Sequence, residues 1–183
     1  MLLILPFFWL VFIVYWAYSA KDMRRLRKPS KNWFYSRIIF IAIIFVLVNS
    51  KILTKIDAYA GNWRTFPIEL TAVILTGVGI SFAVWARRTL GKNWGMPMTE
   101  RADPELVTSG PYAYVRHPIY TGMILAVIGS GLAGGAEWLI LCFFIIAYFV
   151  YSAFSEEKYL TKEFPAVYAE YKRKTKMLIP FIF

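Results

Sequence analysis

One cysteine and one histidine in 183 residues leave little room for disulfide or metal chemistry. Cys142 has no partner for an internal bridge, and together with His117 it falls well short of a structural zinc ligand set. Acidic side chains are also scarce. There are 11 Asp/Glu against 21 Lys/Arg, a formal net charge of +10. Charged residues of both signs make up 17% of the chain, where a soluble domain carries roughly a quarter. What fills the space is apolar: 58% hydrophobic, 19% aromatic, with a mean hydropathy of +0.51. These deficits exclude an ordinary cytosolic enzyme, a disordered tail and a secreted disulfide scaffold. They point to an integral membrane protein, in which basic excess reports cytoplasmic loops and anionic lipid rather than nucleic acid.

The apolar residues lie in runs. A crossing takes roughly 20 of them to span about 30 Å of hydrocarbon. Five stretches meet or approach that length: Leu2 to Ala20, Ile38 to Leu53, Phe66 to Ala86, His117 to Gly134 and Trp138 to Phe154. The fourth and fifth are joined by Gly134-Gly135-Ala136-Glu137 and must form an antiparallel hairpin. The first lacks a basic leader and is followed by seven Lys/Arg before residue 38, the flanks of a retained anchor rather than a cleaved signal. Segments 21–37, 87–116 and 155–183 hold 7, 5 and 6 Lys/Arg, and the other side holds only Lys51, Lys55 and Arg64. The positive-inside rule then sets the N-terminus outside and the C-terminus in the cytoplasm. The expected fold is all-α, with five transmembrane helices.

Two segments on that basic side are longer than a connection needs. Residues 87–116 are punctuated by Gly91, Gly95, Pro97, Pro104, Gly110 and Pro111 and are rich in aromatics, a loop of functional length. The tail from residue 155 opens on Glu156-Glu157 and continues with Leu160, Phe164, Val167 or Tyr168, and Tyr171 at helical spacing. Pro165 must mark a break or a new first turn. Lys172, Arg173, Lys174 and Lys176 suit a helix lying on anionic lipid. The hairpin brings the end of the loop to the start of the tail, so a site formed there would meet cytosol on one side and lipid on the other.

Other motifs carry less. Gly129-Ser130-Gly131-Leu132-Ala133-Gly134 matches a dinucleotide fingerprint in letters only, because it ends a membrane helix instead of following a strand. Its small residues, like Gly77 and Gly79, serve close helix packing. Glu69 and Glu137 lie near the outer interface, and no span carries the deep charge that a proton relay would need. The Arg116-His117-Pro118-x-Tyr120-x-Gly122 string is different. Pro118 suits a first helical turn, which sets Arg116 and His117 beside free backbone N–H groups at the membrane surface.

The string LVTSGPYAYVRHPIYTG (Leu106 to Gly122), a hairpin of about 33 residues and then EEKYLTKEFPAVYAEYKRKTKMLIPF (Glu156 to Phe181) together resemble the isoprenylcysteine carboxyl methyltransferase family, as does the upstream LGKNW (Leu90 to Trp94). The likeness covers roughly residues 85 to 181, about half the chain. It implies a membrane-embedded methyltransferase that uses S-adenosylmethionine without a Rossmann domain. Residues 1–65 would be two anchoring helices with a basic loop. Residues 66–183 would form the core, with a cofactor loop at 87–117 and an amphipathic tail at 155–183.

Carried over by position, the resemblance implies that Glu105, Leu106 and Val107 touch the cofactor from the loop. Tyr112 and His117 would line its adenosine side, Tyr120 would stand beside it, and Glu156 would hold the methionine ammonium. Arg116 and Glu157 would support catalysis. The implied partners are a lipophilic or prenylated acceptor and membrane lipid, with neither metal nor nucleic acid. Ser152 departs from the pattern, because carboxylate-methylating members carry arginine four residues before the first glutamate. The acceptor is therefore an isoprenylcysteine-like carboxylate or a lipid amine, hydroxyl or thiol. Two other functions compete. Sterol reductases share an Arg-His-x-x-Tyr-x-Gly stretch and use NADPH on longer chains. A non-catalytic membrane partner would give the cytoplasmic motifs no chemical task.

Overall fold

The computed structural model describes residues 3–19, 38–40, 65–94 and 105–182. Most of the second expected crossing and the whole basic segment 21–37 lie outside the described residues. The chain forms helices α1 (Ile4–Ser19), α2 (Phe66–Leu90), α3 (Pro118–Gly134), α4 (Ala136–Glu163) and α5 (Pro165–Lys174). Short 3₁₀ turns occupy Gly91–Asn93 and Gly110–Ala113. Among the described residues there is no strand, only a parallel bridge between Val115 and Lys176.

Local sequence explains the helix ends. Proline stands in the first turn of α2, α3 and α5, where its missing N–H costs nothing. Glu69 in the first turn of α2 and Arg87 and Arg88 in its last turn complement the helix dipole. α3 and α4 are separated by Gly135 alone, at φ 115°, a backbone region closed to most side chains. The hairpin expected from the Gly134-Gly135 pair is therefore present in its tightest form.

Stretches Phe66–Asn93 and Trp138–Glu163 are long and apolar enough to cross a membrane, and α1 and α3 are shorter apolar helices of 16 and 17 residues. Their outward faces carry large apolar side chains: Phe7, Leu10, Ile13 and Val14 on α1, Leu70, Ile74, Val78 and Trp85 on α2, Phe143, Tyr151 and Phe154 on α4. Water would penalise such faces, and lipid does not. This is the exterior of a membrane protein.

With no hydrophobic drive between helices in lipid, contact depends on small residues and polar ties. A Cβ on Gly79 would stand 2.5 Å from the Gly122 carbonyl, and one on Gly122 would stand 2.5 Å from the Gly79 carbonyl and 2.6 Å from Ala83 N. α2 and α3 thus meet backbone to backbone. The glycines of the false dinucleotide motif do the same, as Gly129 abuts Ala72 and Thr76 of α2. Gly122→Ala is expected to overpack this seam and cost about 1–3 kcal/mol. A detergent melting curve matching wild type would refute that.

α1 completes the wall. Phe12 packs with Ile80, Ala83 and Ala126, flanked by Phe8, Trp9, Trp16 and Met123, and Leu5 packs with Ala72 and Ala133. Trp9 Nε1 donates to Ser130 Oγ at 2.9 Å, a polar tie from α1 to α3. Cys142 is buried as a small packing residue, its thiol 3.1 Å from the Val127 carbonyl.

Candidate active site: a cavity closed by the tail

The tail folds back on the start of α3. Arg116 N–H donates to the Lys176 carbonyl at 2.8 Å, His117 N–H to Met177 at 3.0 Å, and Thr121 Oγ1 to Leu178 at 2.7 Å. The first two bonds satisfy N–H groups that a helix start leaves open, and the third is donated by a hydroxyl. Met177 and Leu178 then pack against Tyr120 and Ala153.

Arg116 is the side-chain rivet of this corner. Its Nε lies 2.6 Å from Glu157 Oε1, and its Nη1 donates to the Thr175 carbonyl. Glu157, buried, also takes Lys172 Nζ at 2.8 Å. Of the basic tail residues expected to grip lipid, Lys172 is therefore engaged within the protein. The α4 residues Glu156 and Glu157, the α3 start and α5 meet here as the hairpin geometry required.

Beside the rivet lies a cavity of about 220 Å³. Its polar and aromatic lining is Tyr112, Arg116, His117, Tyr120 and Glu156, joined by Tyr168 and Tyr171 of α5. Its apolar lining is Phe12 and Trp16 of α1, with Leu90, Trp94, Ile119, Met123, Phe149 and Leu160. Leu106 and Val107 line it from the loop.

The polar wall is ordered by a chain of contacts. Tyr120 Oη donates to Glu156 Oε2 at 3.2 Å, and the His117 ring stacks on the Tyr120 ring, centroids 5.5 Å apart and 5° from parallel. His117 Nδ1 lies 3.7 Å from Glu156 Oε2. Its Nε2 is buried without a hydrogen-bond partner, the nearest carboxylate being Glu157 Oε1 at 3.6 Å. Tyr171 Oη donates to the Tyr112 carbonyl at 2.6 Å, clamping α5 to the 3₁₀ turn. Burial pushes the phenols of Tyr168 and Tyr171 well up, so both keep their protons.

Seven of the nine residues singled out in the sequence line the cavity: Leu106, Val107, Tyr112, Arg116, His117, Tyr120 and Glu156. Glu157 and Glu105 do not. Glu157 stands behind the wall, holding Arg116 and Lys172, and Glu105 accepts a bond from Asn93 Nδ2 at 3.2 Å, tying the loop to the end of α2. Sequence reasoning missed Phe12, Trp16, Met123, Phe149, Leu160, Tyr168 and Tyr171. The spacing of Tyr168 and Tyr171 was visible, whereas Phe12 and Trp16 sit in a helix apolar on every side.

Trp94 is fixed from behind by Arg87. This buried guanidinium lies 4.6 Å from the Trp94 ring centroid and donates to Gly91 O at 2.8 Å and to Ser19 O. Trp94 in turn meets Trp16 edge to face at 5.5 Å, and Trp16 stacks on Phe12 at 4.6 Å. Trp94, Trp16 and Phe12 thus form one aromatic seam within the apolar lining.

The fold and site define a helical membrane protein with an amphiphilic cavity closed by its own tail. The family model described as phospholipid methyltransferase matches residues 68–167, more than half of the chain, and the chain belongs to that family. The resemblance to isoprenylcysteine methyltransferases holds at the level of relatives. Protein-S-isoprenylcysteine O-methyltransferase of Saccharomyces cerevisiae is 30% identical over 145 residues, 77% of this chain and 61% of that protein. The cobalt-zinc-cadmium resistance protein CzcN of Cupriavidus metallidurans is 30% identical over 143 residues, 76% of this chain and 61% of its own length. The chain thus spans about three fifths of these curated relatives. The solved eukaryotic intramembrane Ras methyltransferase ICMT shares the fold at a TM-score of 0.52 and 23% identity, over 85% of this chain and 55% of that one. Among the described residues no group of three or more His, Cys, Asp or Glu could hold a metal ion.

Proposed function

We propose that this chain transfers a methyl group from S-adenosylmethionine to a lipophilic acceptor at the cytoplasmic face of a membrane that it crosses five times, N-terminus outside. The observation that carries this reading is the amphiphilic lining of the cavity, a carboxylate and aromatic hydroxyls together with an aromatic seam.

The residues present fit the cofactor. Glu156 suits an ammonium, because a carboxylate is its strongest hydrogen-bonding partner. The ring of Tyr112 suits a sulfonium, by roughly 0.5–2 kcal/mol. The buried, unpartnered His117 Nε2 has hydrogen-bonding capacity that a ligand can meet. S-adenosylmethionine, when bound, supplies a methyl carbon open to in-line attack.

The protein's own task is positioning and drying. Tyr120 holds the Glu156 carboxylate in place, and the Arg116–Glu157 pair holds the end of α3 that presents His117. Tyr171 and the tail bonds close the cytosolic side, and Trp16, Trp94 and Phe12 keep water from the apolar side. The acceptor is an isoprenylcysteine-like carboxylate or a lipid amine, hydroxyl or thiol. Ser152 brings no charge toward a carboxylate: it is fully buried and its hydroxyl turns back to Tyr148 O at 2.8 Å. A carboxylate acceptor needs no base, whereas an amine or hydroxyl must lose a proton.

Calorimetric titration of S-adenosylhomocysteine into the detergent-purified chain is expected to give micromolar binding. No binding by folded protein would overturn the reading. Radiolabel moved from S-adenosylmethionine into membrane lipid extract then identifies the acceptor, since base releases methanol from a methyl ester and not from a methylated amine.

A further inference from the structure

Of the two α5 tyrosines in the cavity wall, only one has an evident structural task. Tyr171 spends its hydroxyl on the Tyr112 carbonyl. Tyr168 lies three residues earlier, its ring edge to face with that of Tyr171 at 5.9 Å. It is the largest fully buried side chain among the described residues, it lines the cavity, and its hydroxyl has no hydrogen-bond partner. A phenol needs only its ring to pack, so an unpaired O–H in such a place destabilises the fold for no structural return. The bond it lacks is one that a ligand can supply.

The surroundings say what kind of ligand atom. The phenol keeps its proton, and the Glu156, Glu157 and Arg116 charges all act on it. It therefore offers a donor in a cavity that Glu156 lines with negative charge and Arg116 with positive. A group bearing an ammonium and a carboxylate on one carbon matches that pairing. We infer that Tyr168 is a ligand-contacting residue whose hydroxyl donates to the carboxylate of an α-amino-acid moiety, the ammonium of the same moiety facing Glu156. The inference rests on the S-adenosylmethionine reading and adds to it the group that recognises the second charge of the zwitterion.

A matched pair of ligands tests it: S-adenosylmethionine and its decarboxylated form, which keeps the ammonium and lacks the carboxylate. Both are titrated calorimetrically into the detergent-purified full chain and into Tyr168→Phe, without acceptor. Tyr168→Phe is expected to weaken S-adenosylmethionine by about tenfold, the loss of one hydrogen bond to a charged acceptor, and to leave the decarboxylated ligand unchanged. The melting temperature of the ligand-free variant is expected to equal or exceed wild type, since an orphan hydroxyl has been removed. Equal weakening of both ligands, no weakening of either, or a lowered ligand-free melting temperature would each overturn the assignment. If wild type binds neither ligand, the S-adenosylmethionine reading itself falls and this inference falls with it. Wild-type binding that Tyr168→Phe leaves intact removes the inference alone.

Discussion

Glu156→Gln is expected to bind S-adenosylhomocysteine about 10- to 100-fold more weakly than wild type, the cost of replacing a charge-assisted hydrogen bond by a neutral one. The substitution is nearly isosteric, and a glutamine oxygen still accepts from Tyr120 Oη, now at 3.2 Å from Oε2. The stack of His117 on Tyr120 is therefore retained, and the melting temperature should stay near wild type. What changes is the charge presented to an ammonium. A variant that binds the ligand normally would remove Glu156 from the cofactor site and leave the polar wall without its anion. A variant that melts early would instead show that the carboxylate serves the fold, through its approach to His117 Nδ1 at 3.7 Å.

Arg116→Ala is expected to be the most damaging single truncation at the site. It strips Glu157 of its closest partner, at 2.6 Å, and deletes the donor to the Thr175 carbonyl. Removing one member of a buried ion pair leaves a charge that the interior cannot solvate. Lys172 Nζ remains 2.8 Å from the other Glu157 oxygen, so the loss should be about 3 kcal/mol, the low end for a broken buried pair. In detergent that amounts to a fall of roughly 5–10 °C in melting temperature. Trypsin gives a second measure. Lys172, Arg173, Lys174 and Lys176 sit on the strap that Arg116 holds, and cleavage there should accelerate in the variant while cleavage elsewhere does not. Unchanged melting and unchanged proteolysis would show that the backbone bonds of residues 116 and 117 suffice to hold the tail.

The two variants separate roles that sequence reading had grouped as neighbouring polar residues. Arg116, His117, Glu156 and Glu157 were all legible as candidates, because a Pro118 helix start and a tight hairpin bring them to one place. Their division of labour was not. Adjacent helix positions point about 100° apart, so of two neighbouring glutamates one reaches the cavity and the other turns back to Arg116 and Lys172. That rotation becomes fixed only when α4 packs.

The apolar wall was illegible for another reason. Phe12 and Trp16 lie in a run with no polar face, and periodicity cannot single out one side of a uniformly apolar helix. Only the packing of α1 against Ile80, Ala83 and Ala126 selects them. The burial of Arg87 behind Trp94, tied to two backbone carbonyls, depends on where α1 ends, which no local pattern states. Tyr168 shows a third limit. Its helical spacing was plain, but a lipid-facing side and a cavity-facing side look alike in an amphipathic tail until α5 docks. By contrast, the glycine pair at the hairpin and the proline starts were dictated by backbone geometry alone, and the structure carries them as expected.

The stitching of residues 116–121 to residues 175–178 also has a consequence for how the protein is made. The paired groups are separated by 57 to 60 positions along the chain, with the whole α3–α4 hairpin between them. At a synthesis rate of about 5–20 residues per second, roughly 3–12 s pass between emergence of the first partner and emergence of the second. During that interval α1, α2 and α3 have been delivered to the bilayer while the cavity still lacks a floor. The nascent site would be open to water and to chaperones, and mature only after the strap has been threaded home. The cavity is therefore complete only once the last residues of the chain have docked.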